Sequence, residues 1–361
     1  MNKFDLRGKL EQKTVLKRIS ALATGSIPAP VSVDFDCTTR CNLACFFCIS
    51  KNMLGTRDFS REQLMDWADV LCDMDIKSII LTGGGEPLMN EHVDDFIYRL
   101  KSNDANIAIG LVTNGTLIDK HKYLKELNWM RISLDAGKAS TYTELKGKSF
   151  YDLVVRNIAL FNKDKGCCET GISYLVIRDG AKANIEEMAA TANLAKEIGC
   201  NYFEIKLQFD MNHHDISLIK SDMQELQNQI SMAKALSDDT FRVYLNHNIS
   251  NTLASDTAPC HTAASCHICN LRTIIAPSGL YVCSYHRGKK QYKYGESDPT
   301  RFKQYWYSKG RQDLIASIHI PSECNFNCAR KNSNALLQHI IRGEKDGSIS
   351  SMSLPDEDLF I

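Results

Sequence analysis

The 361-residue sequence predicts an α/β protein: an incomplete barrel of six β/α units followed by a small cysteine-rich domain. Three observations lead there. Strand-like and helix-like periodicities alternate from residue 31 to about residue 236. Three of the strands alternate polar with apolar side chains instead of being apolar throughout. Cysteines gather in two groups, one directly after the first strand and one in a polar, turn-rich stretch beyond residue 250.

Residues 1–30 read as a helical extension. VSVDFD (31–36) is the first strand, and SREQLMDWADVLCDM (60–74) has helical apolar spacing behind a Ser60 N-cap. Strands follow at 78–84, 107–115, 130–136, 171–177 and 202–208. Helices are expected near 91–103, 119–127, 150–163, 184–199 and 216–236. This run places one barrel domain at 31–250. The segment 251–330, which includes NISNTLASDTAPCHTAASCHIC up to 269, has little helical periodicity and needs a metal centre to organise it. ALLQHIIRG (335–343) reads as a closing helix and GSISSMSLPDEDLFI as a loose tail, together the segment 331–361.

A parallel strand covered on both faces is apolar throughout. YFEIKLQF breaks that rule, setting Glu204, Lys206 and Gln208 against Phe203, Ile205, Leu207 and Phe209. Arg131, Ser133 and Asp135 share one face of RISLD, and Ser32, Asp34 and Asp36 share one face of VSVDFD. A curled sheet explains this, its polar face lining a wet lumen and its apolar face packing on helices. Arg131, Glu204, Lys206 and Gln208 are then candidate substrate contacts. A lumen of this kind suits a small polar, hydroxyl-bearing or phosphorylated molecule, although the same charges can pair among themselves.

Lys+Arg and Asp+Glu balance at 43 each, so no global field draws the chain to nucleic acid or an anionic membrane. The N-terminus lacks an apolar secretory core, and no run approaches the ~20 apolar residues of a membrane span. The expectation is a cytoplasmic protein, where 14 cysteines do not form a disulfide framework. Cys72, Cys167, Cys168 and Cys200 read as small buried hydrophobes.

Cys41, Cys45 and Cys48 have the spacing C-x3-C-x2-C on one short loop. Three such thiolates can hold three irons of a [4Fe–4S] cluster and leave the fourth iron open. Zinc is the rival, but a structural zinc site asks for four protein ligands. Cys37 is expected at the strand end, pointing away from the loop.

With Asn42 after the first cysteine and Phe47 before the last, this motif resembles the signature of the radical S-adenosylmethionine (radical SAM) superfamily. LTGGGEPL (81–88), VTNGT (112–116), SLDA (133–136) and YLVIRDGAKANIEEM (174–188) resemble its companion motifs at successive strand ends. The resemblance covers residues about 31–210 and implies a TIM-like partial barrel. It implies that Gly84, Gly85 and Glu86 bind the amino group of S-adenosylmethionine, where a carboxylate suits an ammonium. It also implies that Thr113, Asn114, Ser133 and Asp135 meet its ribose and carboxylate, and that backbone near Ile177 faces adenine.

CHICNLRTIIAPSGLYVC (266–283) gives C-x2-C-x13-C, with Gly279 in a turn between two short strands. It resembles the auxiliary-cluster segment of radical SAM enzymes with SPASM or shorter twitch extensions. The molybdopterin-precursor synthase uses a similar spacing, but this chain ends DEDLFI rather than in a diglycine. Cys266, Cys269, Cys283, Cys324 and Cys328 are candidate ligands of an auxiliary [4Fe–4S] cluster, Cys260 is a spare, and zinc is the alternative metal. Tyr281, Tyr285, His286 and Arg287 flank Cys283 and read as packing around that centre, with substrate contact or proton donation as the alternative.

The leading expectation is therefore an enzyme that cleaves S-adenosylmethionine reductively and abstracts hydrogen from a small polar metabolite such as a sugar, aminocyclitol or nucleotide sugar. Its partner is a low-potential electron donor such as flavodoxin or ferredoxin. Only about 30 residues precede the first strand, without the leader-binding domain common in peptide-modifying relatives. Peptide or protein modification is the alternative enzyme reading, and a zinc-stabilised ligand-binding protein is the alternative from another class.

Overall fold

The structure, a computed structural model, describes residues 6–104, 106–208, 222–246, 263–324, 328, 330–342, 356 and 359–361. The six predicted strands are present as β1 (Ser32–Asp36), β2 (Ser78–Thr82), β3 (Ala108–Thr113), β4 (Trp129–Ser133), β5 (Glu169–Val176) and, after a hairpin of β6 (Arg178–Asp179) and β7 (Lys182–Ala183), β8 (Tyr202–Leu207). Two compact units emerge. One comprises Met1–Arg40, Asn52–Ile109 and Cys260–Ile361; the other comprises Cys41–Lys51 and Gly110–Pro259.

In the first unit β1 pairs in parallel with β2 and, on its other side, with β10 (Arg272–Ala276). The latter pairing is invisible in sequence, because RTIIA is only five residues long and sits among turns. β10 turns back into β11 (Gly279–Tyr281), which pairs with β12 (Lys293–Gly295), so the expected two short strands around Gly279 are there. Phe35 of β1 lies against Phe59, Trp67 and Phe96, with ring centroids 4.6–6.1 Å apart. Trp67 belongs to the helix Arg61–Asp73, whose start is fixed by a reciprocal capping box between Ser60 and Gln63.

The tail expectation is corrected for residues 359–361. Phe360 and Ile361 are buried, Ile361 in a cluster with Leu10, Val15, Ile19, Leu271 and Leu337. The Ile361 carbonyl accepts from Arg272 (2.7 Å) and the Leu359 carbonyl from Ser78 (2.7 Å). Three consecutive apolar residues at a chain end gain more from burial than a polar tail would.

In the second unit β3, β4, β5, β8 and a further strand, β9 (Arg242–Leu245), are neighbours in that order and all parallel. One face carries Met130, Ile132, Ile172, Tyr174, Val176, Phe203 and Ile205, all buried. Helices Tyr151–Asn162, Met188–Glu197 and Met223–Lys234 contribute buried Val154, Ile158, Met188, Ala192 and Leu226. The register puts Trp129, Arg131, Ser133, Gly171, Ser173, Tyr202, Glu204 and Lys206 on the opposite face. The polar alternation read from the sequence is thus a real division of faces.

Two local differences from expectation have simple causes. The stretch 119–127 forms 3-10 turns, Ile118–Lys120 and Tyr123–Glu126, because its buried Ile118, Leu124 and Leu127 are spaced in threes. An unforeseen helix, Ala139–Lys146, ends on Gly147 at φ +71°. Residues 209–221 and 247–262, with Cys260 and the start of the helix expected near 216, lie outside the described residues. No helix among those described is long and apolar enough to cross a membrane.

Candidate functional site

The C-x3-C-x2-C loop belongs to the second unit, and five ties hold it there. Asn42 donates to Thr116 Oγ1 (2.8 Å) and accepts from Asn114 Nδ2 (2.7 Å), while Asn114 Oδ1 accepts from the Thr116 N–H (3.0 Å). The Ala44 N–H donates to the Lys146 carbonyl (3.0 Å). The Lys146 ammonium stands 5.1 Å from the centre of the Phe47 ring, and Lys182 stands 4.4 Å from that of Phe46. Cys41, Cys45 and Cys48 are each half-buried. Burial pushes the Cys45 thiol up to about 11; Lys146 opposes the rise, and Asp135, Cys48 and Cys41 add to it. The three sulfurs thus lie within one another's field.

Asp135 sits just beyond β4 at φ 57°, a left-handed conformation uncommon outside glycine. Its side chain pairs with the Lys146 ammonium and accepts the Leu175 N–H (2.7 Å), while its carbonyl accepts from Asn184 Nδ2 (2.9 Å). Asn184 also accepts the Ile177 N–H (2.8 Å) and donates to the Leu175 carbonyl (2.8 Å), so one amide clamps the ends of β4 and β5. Burial opposes the Lys146 charge, yet Asp135 and Cys45 hold its proton affinity above the ordinary lysine range. The side chains of Lys146 and Asp135 are 3% and 4% exposed. Lys146→Met should therefore strand a buried carboxylate and cost about 3–5 kcal/mol, read as a lowered urea midpoint. Neither Lys146 nor Asn184 was legible as a site residue, because nothing in the sequence around them marks their burial. Thr113 is buried and its hydroxyl accepts the Gly115 N–H (3.1 Å); Ser133 closes β4 on the face of Arg131.

In the first unit the Gly84–Glu86 turn is fixed from two sides. The Gly84 N–H donates to Asp36 Oδ2 (3.1 Å), and the Glu86 N–H donates to the carbonyl of Arg40 (2.7 Å), the residue that precedes Cys41 in the chain. Glu86 is buried, with Oε1 accepting the Leu88 N–H (3.2 Å). Arg287 Nε lies 3.1 Å from Asp36 Oδ2, and Asp34 pairs with Arg272. Burial pushes the Asp36 carboxyl up to about 6, against the pull of Arg287 and with Asp34 adding to the rise. The polar side of β1 is therefore neutralised by arginines from beyond residue 270 instead of lining an open lumen. Cys37 is fully buried and its carbonyl accepts from Asn90 Nδ2 (3.0 Å).

The second cysteine group converges within the same unit. Cys266 and Cys269 share a hydrogen bond that holds the first below and the second above the ordinary thiol range. Burial raises Cys283 to about 11, with Cys266 adding to it, and Cys324 to about 12, with Cys283 and Cys266 adding. Cys328 is raised by burial and then by Cys283, Cys266 and Cys324. Five thiols thus share one neighbourhood. His286 is buried beside them, stacked on Tyr292 at 3.9 Å and 13°, with Nε2 3.6 Å from Cys324 Sγ. Among the described residues no three Cys, His, Asp or Glu side chains converge as ligands of a single ion would; a cluster takes one thiolate per iron. Two sets of soft donors, one on a short loop and one gathered from residues 266–328, fit two iron–sulfur clusters.

On the open face of the second unit, Arg131, Glu204 and Lys206 do meet. Glu204 Oε2 lies 2.9 Å from Arg131 Nη1 and 3.1 Å from Lys206 Nζ, and Oε1 accepts from Asn246 Nδ2 (2.9 Å). Gln208 lies one residue past β8, its N–H on the Val176 carbonyl (3.0 Å).

Comparison with known proteins agrees with this architecture. The model of the Radical SAM superfamily matches residues 36–192. The GTP 3',8-cyclase of Lactiplantibacillus plantarum is 32% identical over 133 residues, covering 35% of this chain and 40% of that protein. The GTP 3',8-cyclase of Staphylococcus saprophyticus is 36% identical over 111 residues, 27% of this chain and 32% of that one. The chain thus spans well under half the length of these curated relatives. Streptococcus suis SuiB bound to its precursor peptide SuiA shares the fold with a TM-score of 0.61 at 16% identity, over 85% of this chain and 71% of that one. AdoMet-bound anSMEcpe gives a TM-score of 0.57 at 18% identity, over 79% and 82%. Radical SAM proteins use a [4Fe–4S] cluster and S-adenosylmethionine, and the three thiols of the Cys41–Cys48 loop suit such a cluster. Residues 36–192 thus carry a radical SAM domain.

Proposed function

We propose that this chain cleaves S-adenosylmethionine reductively and takes hydrogen from a small polar metabolite, a sugar, aminocyclitol or nucleotide sugar, ending in oxidation or rearrangement. The observation that carries the reading is the braced loop of Cys41, Cys45 and Cys48, three soft donors presented together. Bound there, the cluster and S-adenosylmethionine supply one-electron cleavage of the sulfonium and the radical that abstracts hydrogen. The chain's own work is positioning. Asn42, Asn114 and Thr116 hold the loop. Lys146 and Asp135 fix the strand end beneath it. The buried Glu86 carboxylate, with Gly84 and Gly85, is matched to an ammonium. Thr113 and Ser133 would meet ribose and carboxylate, whereas the side chain of Asp135 and the backbone groups of Ile177, engaged by Lys146 and Asn184, suit positioning roles. Cys266, Cys269, Cys283, Cys324 and Cys328 would hold the second cluster, and a flavodoxin or ferredoxin would deliver the electron.

The ionic residues on the open face of β4 and β8 favour a small polar substrate, and relatives named for GTP point the same way. Modification of a peptide or protein is the second reading, favoured by the SuiB and anSMEcpe complexes with peptides, whose likeness to this chain extends to fold. Deuterium transfer separates them. Reduced protein is incubated with S-adenosylmethionine and deuterated GTP, nucleotide sugars or acceptor peptides. The proposal expects label in 5'-deoxyadenosine from a small molecule; label from peptides alone would replace it with the second reading.

A further inference from the structure

We infer that Arg287 and Gly288 are positioning residues for the turn Gly84–Glu86, and that through them the segment following Cys283 sets the affinity of the chain for S-adenosylmethionine. The inference rests on the reading that this turn receives the amino group of S-adenosylmethionine. The contacts that carry it all lie within the first unit.

Two lines of contact start from consecutive residues and end on one glycine. In the first, Arg287 Nε lies 3.1 Å from Asp36 Oδ2, the same oxygen that accepts the Gly84 N–H (3.1 Å). In the second, Gly288 lies against Met53, and Met53 lies against Gly84. A Cβ on Gly288 would stand 2.6 Å from Met53 Cγ and 2.7 Å from its Sδ, and a Cβ on Gly84 would stand 3.3 Å from Met53 Cε. An arginine that merely neutralised a buried acid would need no second contact, from the next residue, to the same turn. Asp36, Met53 and Gly84 come from three separate segments, so their convergence is a property of the fold.

Each intermediary can transmit a change. The Asp36 side chain is 1% exposed and that of Arg287 is 9% exposed, so the pair is shielded from solvent. Burial lifts the Asp36 carboxyl to about 6 against the pull of Arg287. Without that guanidinium the carboxyl protonates more readily, and a neutral oxygen holds an N–H less strongly than a charged one. Gly288 has φ +78°, where a β-carbon is strained, and alanine there would also force the Met53 side chain to move.

The loop that delivers these residues is itself anchored. The Val282 N–H donates to the Tyr292 carbonyl (3.2 Å), the His286 N–H to the Cys283 carbonyl (3.2 Å) and the Lys289 N–H to the His286 carbonyl (3.2 Å). The pairing of β11 with β12 closes the loop at its base. Arg287 therefore reaches Asp36 from a held backbone. The other end of the turn is fixed by the Glu86 N–H on the Arg40 carbonyl, so its two ends depend on different parts of the chain.

The test measures S-adenosylmethionine affinity by equilibrium dialysis on the anaerobically reconstituted full chain, left unreduced so that no cleavage occurs, with iron content read beside it. Arg287→Gln should bind at least about tenfold more weakly than wild type with its iron unchanged, and Arg287→Lys, which keeps the charge, should bind within about threefold of wild type. Gly288→Ala should weaken binding at least about fivefold in the wild-type background and less than about twofold on Met53→Ala, because residues in contact are not additive. Wild-type affinity in Arg287→Gln, or an equal effect of Gly288→Ala in both backgrounds, would overturn the inference. Should Arg287→Gln fail to fold or to take up iron, the Gly288 and Met53 variants decide alone. The underlying readings fail on separate observations: a wild-type chain that binds no S-adenosylmethionine removes the enzymatic one, and undiminished binding by Gly85→Ala removes the assignment of the turn.

Discussion

Cys41→Ala protein, reduced anaerobically with S-adenosylmethionine present, is expected to form 5'-deoxyadenosine at less than about one hundredth of the wild-type rate. Outer partners of metal ligands typically cost 10–100-fold when removed, and a direct ligand must cost more. The same variant should keep about four of roughly eight irons, because Cys266, Cys269, Cys283, Cys324 and Cys328 form their own neighbourhood. Iron analysis beside product quantification reads both halves. Retained cleavage would remove Cys41 from the ligand set; loss of all iron would mean that the two groups of thiols are not independent.

Gly85→Ala should be nearly as damaging for a different reason. A Cβ at Gly85 would lie 2.1 Å from the Arg40 carbonyl oxygen and 2.8 Å from the Arg40 carbonyl carbon and nitrogen. These are backbone atoms, and they cannot rotate away as a side chain can. Overpacking of this kind costs about 1–3 kcal/mol where neighbours can shift and more where they cannot. The Glu86 N–H bond to the Arg40 carbonyl lies in the same contact, so relief of the clash must move either the glutamate turn or the chain that leads into Cys41. A lowered melting temperature together with at least tenfold weaker S-adenosylmethionine binding is expected. A variant that matches wild type in both would show that the close approach at Gly85 is not required.

This position also marks what the sequence could and could not convey. GGEP is legible as a glycine turn with a carboxylate, since glycines let the backbone approach a neighbour closely. The structure adds a contact the sequence cannot display, because it joins residues 40 and 85 across two strands. Asn114 tells the same story: legible as a polar strand end, it braces Asn42 on the cysteine loop. The alternation in RISLD and YFEIKLQ was readable because period two is written into the chain, and Arg131, Glu204 and Lys206 accordingly share a face. Lys146 was not, since a lysine looks solvated until its burial against Asp135 is seen. The pairing of β10 with β1 escaped, because a five-residue strand does not name its partner, and the pairing of Asp34 with Arg272 escaped with it.

Electron paramagnetic resonance of the reduced, reconstituted protein, recorded without and with S-adenosylmethionine, tests the central claim most directly. Two [4Fe–4S] signals are predicted in wild type, one of which shifts on adding S-adenosylmethionine and is missing from Cys41→Ala. A colourless protein containing zinc, or iron signals indifferent to S-adenosylmethionine, would contradict the account.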